Sequence, residues 1–166
     1  MQPQTSAHIL TPPKTHGGFH KLCEALERME WGDVRLTIGT DMPRDWMPDL
    51  TVVSMGTDRA ADFGIARLHT LSTMNIPSFG FFATAPVLRK GVAANAHRLL
   101  GDRVKFAVLA GLDLTPTDWP DLRTIRVSAE VTGTDIASVA AAFRSVLVPR
   151  IPVAIEEEPP RKVANA

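Results

Sequence analysis

The feature that most constrains the fold of this chain is a regular alternation of short apolar segments with amphipathic helical patterns. Apolar, β-rich runs predict strands over 7–10, 34–38, 50–53, 79–82 and 104–109. Between them, apolar residues at helical spacing predict helices over 19–29, 59–74 and 87–100. Strands that are apolar on both faces and separated by helices are typical of a parallel sheet covered on both sides. The sequence therefore predicts an α/β fold in three αβα layers, with a doubly wound parallel sheet of five or more strands and the 50–53 strand in its interior.

The 166 residues suffice for a single core, so the chain is predicted to form one domain. Alternation over 124–131 indicates a further strand. A last helix is predicted over 135–148, with Thr134 or Asp135 as its N-cap. The predicted limits are a polar leader at 1–6, the α/β domain at 7–150, and a charged, Pro-rich and disordered tail at 151–166.

The charge balance and the single cysteine limit the partners and the compartment. Eighteen basic and eighteen acidic side chains give no net charge, whereas nucleic-acid binding draws its affinity from basic side chains. No apolar run approaches the roughly 20 residues of a membrane-spanning helix, and the first residues lack the features of a secretion signal. Cys23 has no second cysteine to pair with, which is typical of a reducing compartment. We therefore expect a cytoplasmic protein that binds neither nucleic acid nor membrane.

Several short motifs follow the pattern of one known family. They are Pro48-Asp49-Leu50 followed by Val52-Val53, then Phe82-Ala83-Thr84-Ala85, with Thr84 thirty positions after Ser54, and Lys105 in the next predicted strand. This order resembles the receiver domains of bacterial response regulators, which have a flavodoxin-like fold. The resemblance covers roughly residues 7–107 and 134–148. It implies that Ser54 stands where receivers carry their phospho-accepting aspartate, and that Thr84 and Lys105 stand at the family's hydroxyl and lysine positions.

The chain departs from the receiver pattern where the chemistry of that family takes place. Receivers hold Mg²⁺ with two acidic residues after their first strand, but this chain reads Leu10-Thr11-Pro12-Pro13 there. Ser54 has no carboxylate and cannot form an acyl phosphate. Lys105 is not followed by the family's proline, and an insertion over 108–131 leaves the receiver's fifth strand at either 104–109 or 125–130. The resemblance thus implies a pseudo-receiver, a non-catalytic signalling module that needs no cofactor.

Two predicted helices are suited to close approach by a partner. The helices over 87–100 and 135–148 are rich in alanine, which lets backbones approach closely, although the same composition also suits packing inside one domain. In receivers the corresponding helices form the usual partner surface. We therefore expect a protein partner, with a homodimer as the first choice. The candidate interface residues are Val92, Ala94, Ala141, Phe143 and Leu147.

The alternative is an α/β protein that binds a small ligand or a nucleotide, with or without catalysis. In a parallel sheet such sites lie at the carboxyl edge, where helix N–H groups face the ligand. The segment 14–18 follows the first strand and opens a helix, but it is neither G-x-G-x-x-G nor a P-loop, and a tight Gly-Gly turn explains it as well. The candidate ligand-binding residues are Lys14, His16, Gly17, Gly18, Asp41, Ser54, Thr84 and Lys105.

The remaining polar groups are interpreted as structural, so no catalytic residue and no metal site are predicted. His16 and His20 have the spacing of two metal ligands on one helix, but no third ligand lies near them in sequence. Cys23 lies on the apolar face of its helix, which indicates a buried thiol rather than a nucleophile. The aspartates of the Pro-rich loop can chelate Mg²⁺ or act in acid–base chemistry, but such residues more often begin turns or cap helices, so Asp45 and Asp49 are interpreted as structural and Asp41 stays a candidate for ligand binding only.

Overall fold

The computed structural model describes residues 5–13, 19–55, 58–84, 91, 93–110, 121–128 and 130–147. The predicted tail and residues 1–4 of the predicted leader lie outside these ranges. Thr5 and Ser6 belong to the first strand rather than to a leader, because they pair with Val34 and Arg35 of the neighbouring strand. Among the described residues, no helix has the length and apolar character needed to cross a membrane.

Six parallel strands and four helices form the described fold. The strands are β1 (Thr5–Leu10), β2 (Val34–Gly39), β3 (Leu50–Met55), β4 (Ser78–Thr84), β5 (Val104–Ala110) and β6 (Thr124–Val127). The helices are α1 (His20–Arg28), α2 (Asp58–Ser72), α3 (Ala93–Leu100) and α4 (Gly133–Leu147), and a 3₁₀ turn covers Gly101–Arg103. The strand order is β2-β1-β3-β4-β5-β6. The predicted doubly wound parallel sheet is therefore confirmed.

Helices cover both faces of the sheet and give the three predicted layers. Side chains alternate between the two faces along each strand. In β3, Val52 packs in the cluster that includes α1 and α4, whereas Val53 packs in the cluster that includes α2 and α3. Every residue of β3 is buried. This two-sided burial explains why the apolar run over 50–53 predicts an interior strand.

The sequence leaves two possibilities for the fifth strand, 104–109 or 125–130. The strand that pairs with β4 is β5 (Val104–Ala110), so the first possibility is correct. The sixth strand, β6, pairs with β5 at the outer edge. It is shorter than the alternation over 124–131 predicts, because the segment ends in the capping turn of α4. The order β2-β1-β3-β4-β5 is that of flavodoxin-like sheets, and β6 extends this order by one strand.

The connection from β2 to β3 crosses β1 without a helix, as Pro43 and Pro48 predict. Its Met42 packs on the face that α2 and α3 cover. At its end, the Asp49 carboxylate accepts hydrogen bonds from the backbone N–H of Ser6 at 2.9 Å and from the Ser6 hydroxyl at 3.3 Å. Asp49 thus joins the start of β3 to β1 at the amino edge of the sheet.

The N-cap of α4 is Thr132, which corrects the prediction of Thr134 or Asp135. The Thr132 hydroxyl accepts the backbone N–H of Asp135 at 3.1 Å, and the Asp135 carboxylate accepts the backbone N–H of Thr132 at 3.1 Å. This reciprocal pair is a capping box. Hydrogen bonds from Thr132 and Ser128 hold the pKa of the Asp135 carboxyl below its usual value. Asp135 therefore serves the cap from the first turn of the helix, not from the N-cap position.

Aromatic rings fill the core between α4 and the sheet. The Phe143 ring lies 5.6 Å from Phe106, 5.8 Å from Trp31 and 6.2 Å from Phe82, measured between centroids. Phe143 is completely buried, and Leu147 is 4% exposed. These two side chains stabilise the domain from within, so their burial does not fit the anchoring role at an interface that the sequence suggests.

Arg103 joins the two helices that cover the other face. Its guanidinium donates hydrogen bonds to the backbone carbonyl oxygens of Ser72, the last residue of α2, at 2.9 Å and of Met74, two residues later, at 3.1 Å. It also lies over the Phe79 ring, 5.3 Å from the centroid. Arg103 thereby satisfies carbonyl groups that the end of a helix leaves without partners.

The close packing of β4 against β5 can be tested by a substitution at Gly80. A Cβ atom at Gly80 would lie 2.7 Å from two ring atoms of Phe106, which is held by Phe143. We expect Gly80→Ala to lower the free energy of unfolding by about 1–3 kcal/mol, the usual range for overpacking a core. Urea unfolding followed by circular dichroism measures this change.

The matched control is Gly133→Ala, because a Cβ atom at Gly133 meets nothing within 4 Å. This change in the first turn of α4 should leave stability equal or raise it by up to about 1 kcal/mol. Equal stability of the two variants would contradict the packing described for β4 and Phe106.

Candidate functional site

The carboxyl edge of the sheet is the place where folds of this kind bind ligands. Ser54 is the second-last residue of β3, and Thr84 is the last residue of β4, so both lie at this edge. Ser54 is completely buried, and its hydroxyl has no hydrogen-bond partner. Thr84 is half-buried and pairs with Ala110 of β5. The sequence thus predicts the shared location of Ser54 and Thr84 correctly.

Lys105 and Asp49 lie at the other edge. Lys105 is the second residue of β5, at a break in the register where Val104 pairs with Phe79 and Phe106 pairs with Gly80. It lies five positions before Ala110, which corresponds to about 16 Å of strand. Lys105 therefore does not join Ser54 and Thr84 in one site. Asp49 binds Ser6 at the amino edge, so the loop over 40–49 reaches the carboxyl edge only at its start.

Several candidates from the sequence lie outside the described residues. They are Lys14, His16, Gly17 and Gly18 of the proposed anion-binding loop, and Val92 of the proposed interface. Among the residues that the structure describes, no three His, Cys, Asp or Glu side chains come together in a way that would hold a metal ion.

His8 holds the start of the 40–49 connection at the carboxyl side of β2. Its Nε2 lies 2.9 Å from the carbonyl oxygen of Asp41, which can only accept, so Nε2 carries the proton. Its Nδ1 then accepts from the Thr37 hydroxyl at 2.8 Å. Burial lowers the pKa of the His8 imidazole below its ordinary value. Asp41 is exposed and takes part through its backbone, so its carboxylate is not fixed by this contact.

A cleft of about 310 Å³ opens between α1 and the ends of β1 and β2. One wall is the face of α1 that carries His20, Glu24 and Glu27 at intervals of four and three residues. Among the described residues, the lining is Thr11, Pro12, Pro13, His20, Cys23, Glu24, Glu27, Ile38 and Thr40. Its volume lies at the lower end of the range for small-molecule sites, roughly 300–1,000 Å³. The cleft is therefore a concave surface, with polar and apolar side chains, that a small molecule can contact.

The atoms of the cleft wall differ in what they can do chemically. Burial, together with the nearby charges of Glu27 and Glu24, raises the pKa of the Cys23 thiol to about 12. A thiol with such a pKa stays protonated at neutral pH and is a poor nucleophile. The Nε2 atom of His20 is buried and has no hydrogen-bond partner. The cleft is consequently suited to binding rather than to thiolate chemistry.

The sequence analysis does not predict the cleft, although one helix face that lines it can be recognised in the sequence. The sequence directs attention to His20 only as one of two metal ligands. The repeat of His20, Glu24 and Glu27 on one helix face is visible in the sequence, but the same pattern marks many solvated helix faces. Thr11 and Thr40 join the cleft because Thr11 N–H donates to the Gly39 carbonyl oxygen at 2.9 Å, which brings the ends of β1 and β2 together.

No family model, no curated protein and no solved structure matches this chain.

The buried His8 predicts a dependence of stability on pH. Because its folded pKa is lowered, the unfolded chain takes up a proton first as the pH falls below about 6.5. The contribution of neutral His8 is fully present above that pH and is lost as the pH falls toward the folded pKa. We expect the free energy of unfolding to drop between about pH 7 and pH 5, by at most about 1.4 kcal/mol per pH unit from this group.

Urea unfolding at a series of pH values measures the effect. In His8→Gln, an amide N–H can replace Nε2 as donor without titrating, so part of the pH dependence should disappear. His69→Gln is the control, since His69 is exposed on α2. The same pH dependence in His8→Gln as in the unmodified chain would contradict the assignment to His8.

Proposed function

We propose that this chain is a non-catalytic signalling module with a receiver-like fold, which acts in the cytoplasm by binding a protein partner. The strand order β2-β1-β3-β4-β5 supports the proposal, since it is the flavodoxin-like order that receivers have. The arrangement of α1 and α4 on one face and α2 and α3 on the other is consistent with the same scaffold.

The observation that carries the proposal is the neutral carboxyl edge of β1 and β3. Ser54, at the end of β3, is buried and has a hydroxyl rather than a carboxylate. Thr11 follows β1 where receivers carry acidic metal ligands. Lys105 lies at the opposite edge, so it does not supply the lysine that receivers place beside the phosphoryl group. A receiver scaffold without these three groups favours binding over phosphotransfer.

The partner surface that we propose is the exposed face of α4. Ala94 on α3 and Ala141 on α4 are both exposed, but the two helices cover opposite faces of the sheet. One flat interface cannot include both. The α4 face is the longer of the two and presents small exposed side chains, namely Thr134, Ala137, Ser138, Ala141 and Ser145. We propose that a second copy of the chain packs on this face to form a homodimer.

The first test of the proposal is phosphorylation. We expect the chain to gain no phosphoryl group from acetyl phosphate and Mg²⁺, because Ser54 cannot form an acyl phosphate. Intact mass spectrometry measures the product, with a receiver that keeps its aspartate treated in parallel. Phosphorylation that hydroxylamine removes would mean that another carboxylate accepts the phosphoryl group, and it would overturn the non-catalytic assignment.

The second test is the oligomeric state. We expect light scattering to show a dimer for the unmodified chain at high micromolar concentration. Ala141→Glu should give a folded monomer, because it introduces two like charges across a symmetric interface, whereas Ala94→Glu should remain a dimer. Circular dichroism should show both variants folded, since both positions are exposed. A monomeric unmodified chain, or a dimeric Ala141→Glu, would remove the homodimer from the proposal.

A second candidate function, binding of a small ligand, is favoured by the cleft beside α1. It does not exclude a signalling role, because a small molecule bound to a non-catalytic module can act as its input.

A further inference from the structure

The two edge strands of the sheet differ in how they are protected against pairing with another chain. Edge strands present unpaired backbone N–H and C=O groups, and proteins usually shorten such strands, bend them or place charges on them. The edge strand β6 has four residues, contains the exposed Arg126 and follows the exposed Arg123. The other edge strand, β2, has six residues in unbroken register with β1 and a single charged residue, Arg35. Since no strand of the described fold lies beyond it, β2 is the edge that is open to a further strand.

The hydrogen-bonding groups that β2 leaves free belong to Leu36 and Ile38. Successive residues of a strand point their N–H and C=O groups to opposite sides. The carbonyl oxygen of Gly39 accepts the N–H of Thr11, just after β1, at 2.9 Å, so the backbone groups of Gly39 point toward β1. Leu36 and Ile38 occupy the alternate positions and point their backbone groups away from the sheet. A further strand can therefore bond to the N–H donors and the C=O acceptors of these two residues.

The side chains of β2 determine which kind of strand fits this edge. On the face that α1 covers, Leu36 and Ile38 are only half-buried, whereas every residue of β3 is buried. On the opposite face, Arg35 is exposed, and its guanidinium carbon lies 4.3 Å from the centroid of the Trp46 ring. This stacking holds the charge of Arg35 at the edge of the sheet, and Arg35 forms no ion pair with a described residue.

The charge of Arg35 favours an acidic strand over a basic one. Side chains that face each other across two paired strands stabilise the pair when their charges are opposite and destabilise it when the charges are alike. The exposed carboxylates nearest to β2 in the sequence, Asp33 and Asp41, lie before and after the strand rather than on it. An acidic side chain opposite Arg35 therefore completes a cross-strand pair that the chain itself does not supply among its described residues.

From these features we infer that the β2 edge binds an extended acidic segment of a partner protein, which joins the sheet as a further strand. Its backbone bonds to Leu36 and Ile38, and its apolar side chains continue the half-buried surface that these residues form beside α1. Its acidic side chains alternate with the apolar ones and face Arg35. This inference goes beyond the proposed homodimer, because it depends on β2 and not on the α4 face.

Titration of the full chain with the peptide acetyl-EVEVEVE-amide, followed by NMR measurement of amide hydrogen exchange, tests the inference. The peptide has the same residue order in both directions, so it suits parallel and antiparallel pairing. We expect saturable binding with a dissociation constant below about 1 mM. At about ten times that concentration, exchange at Leu36 and Ile38 should be about tenfold slower, as mass action requires. The amide of Thr37, which points toward β1, is the internal control and should change little.

Control peptides separate the contributions of charge and apolar surface. The peptide acetyl-KVKVKVK-amide reverses the charge, and acetyl-EGEGEGE-amide removes the apolar side chains, so each should bind at least about threefold more weakly. No saturation by the acidic valine peptide up to about 5 mM, or unchanged exchange at Leu36 and Ile38, would overturn the inference. Slow exchange of both amides before peptide is added would also overturn it. A second copy then covers the edge if the exchange depends on protein concentration, and another segment of the same chain covers it if not.

Two variants test the role of Arg35. Arg35→Gln removes the charge from the edge and should weaken binding of the acidic valine peptide at least about threefold. Arg98→Gln is the matched control, because Arg98 is exposed on α3, which packs on the other side of the domain from α1. Equal loss in the two variants, or no loss in Arg35→Gln, would contradict the assignment of an acidic partner strand. These outcomes leave the phosphorylation and light-scattering results unchanged, so failure here is distinguishable from failure of the proposed function.

Discussion

Burial of both faces of the parallel sheet is the constraint on which the rest of this structure depends. Parallel strands are stable when helices cover them on both sides, and β3 has no exposed residue. Helices on both faces leave mainly the two edges of the sheet for polar side chains. Asp49 and Arg103 occupy the amino edge with structural hydrogen bonds. Ser54, Thr84 and the cleft beside α1 therefore lie where the fold still allows binding, at the carboxyl edge.

The connection between β2 and β3 shows what replaces a helix when a crossover lacks one. A crossover helix buries an apolar face, whereas the segment over 40–49 has Met42 packed against the core, Trp46 stacked on the guanidinium of Arg35, and polar contacts at its two ends. His8 binds the backbone of Asp41 at the start, and Asp49 binds Ser6 at the end. Neutral His8 is essential to this arrangement, because a protonated imidazole in the same buried place would have to be desolvated. The stability of the crossover is thus linked to pH in a way that helix packing would not be.

The fold class could be predicted because two-sided burial leaves a local signature in the sequence, as in the apolar run over 50–53. The position of Lys105 could not, since it depends on where β5 begins relative to β4 and on a break in their register. The apolar face of α4 can be recognised in the sequence, but its helical period does not show whether that face packs in the core of the domain or against a partner. Phe143 proved to be the centre of an aromatic core. The cleft was missed because β1, β2 and α1 each supply part of its lining, and only the fold brings them together.

The uncharged residues Ser54 and Thr11 at the carboxyl edge suit each other, because a carboxylate at one position would need a charged partner at the other. A buried hydroxyl without a partner costs about 1–3 kcal/mol, which a folded domain tolerates. A carboxylate in the same position would require a cation or several donors, because an isolated buried charge is far more costly and neutralises instead. Thr11 follows Leu10 and Ser54 follows Val53, the last pair of the β1–β3 register, so both lie at the carboxyl edge, and Thr11 offers no carboxylate to hold a cation. Serine at the end of β3 and threonine after β1 are therefore mutually compatible, whereas an aspartate at either position alone would be unpaired. Acidic side chains occur instead on α1, where Glu24 is partly exposed and Glu27 is exposed, so water solvates their charges.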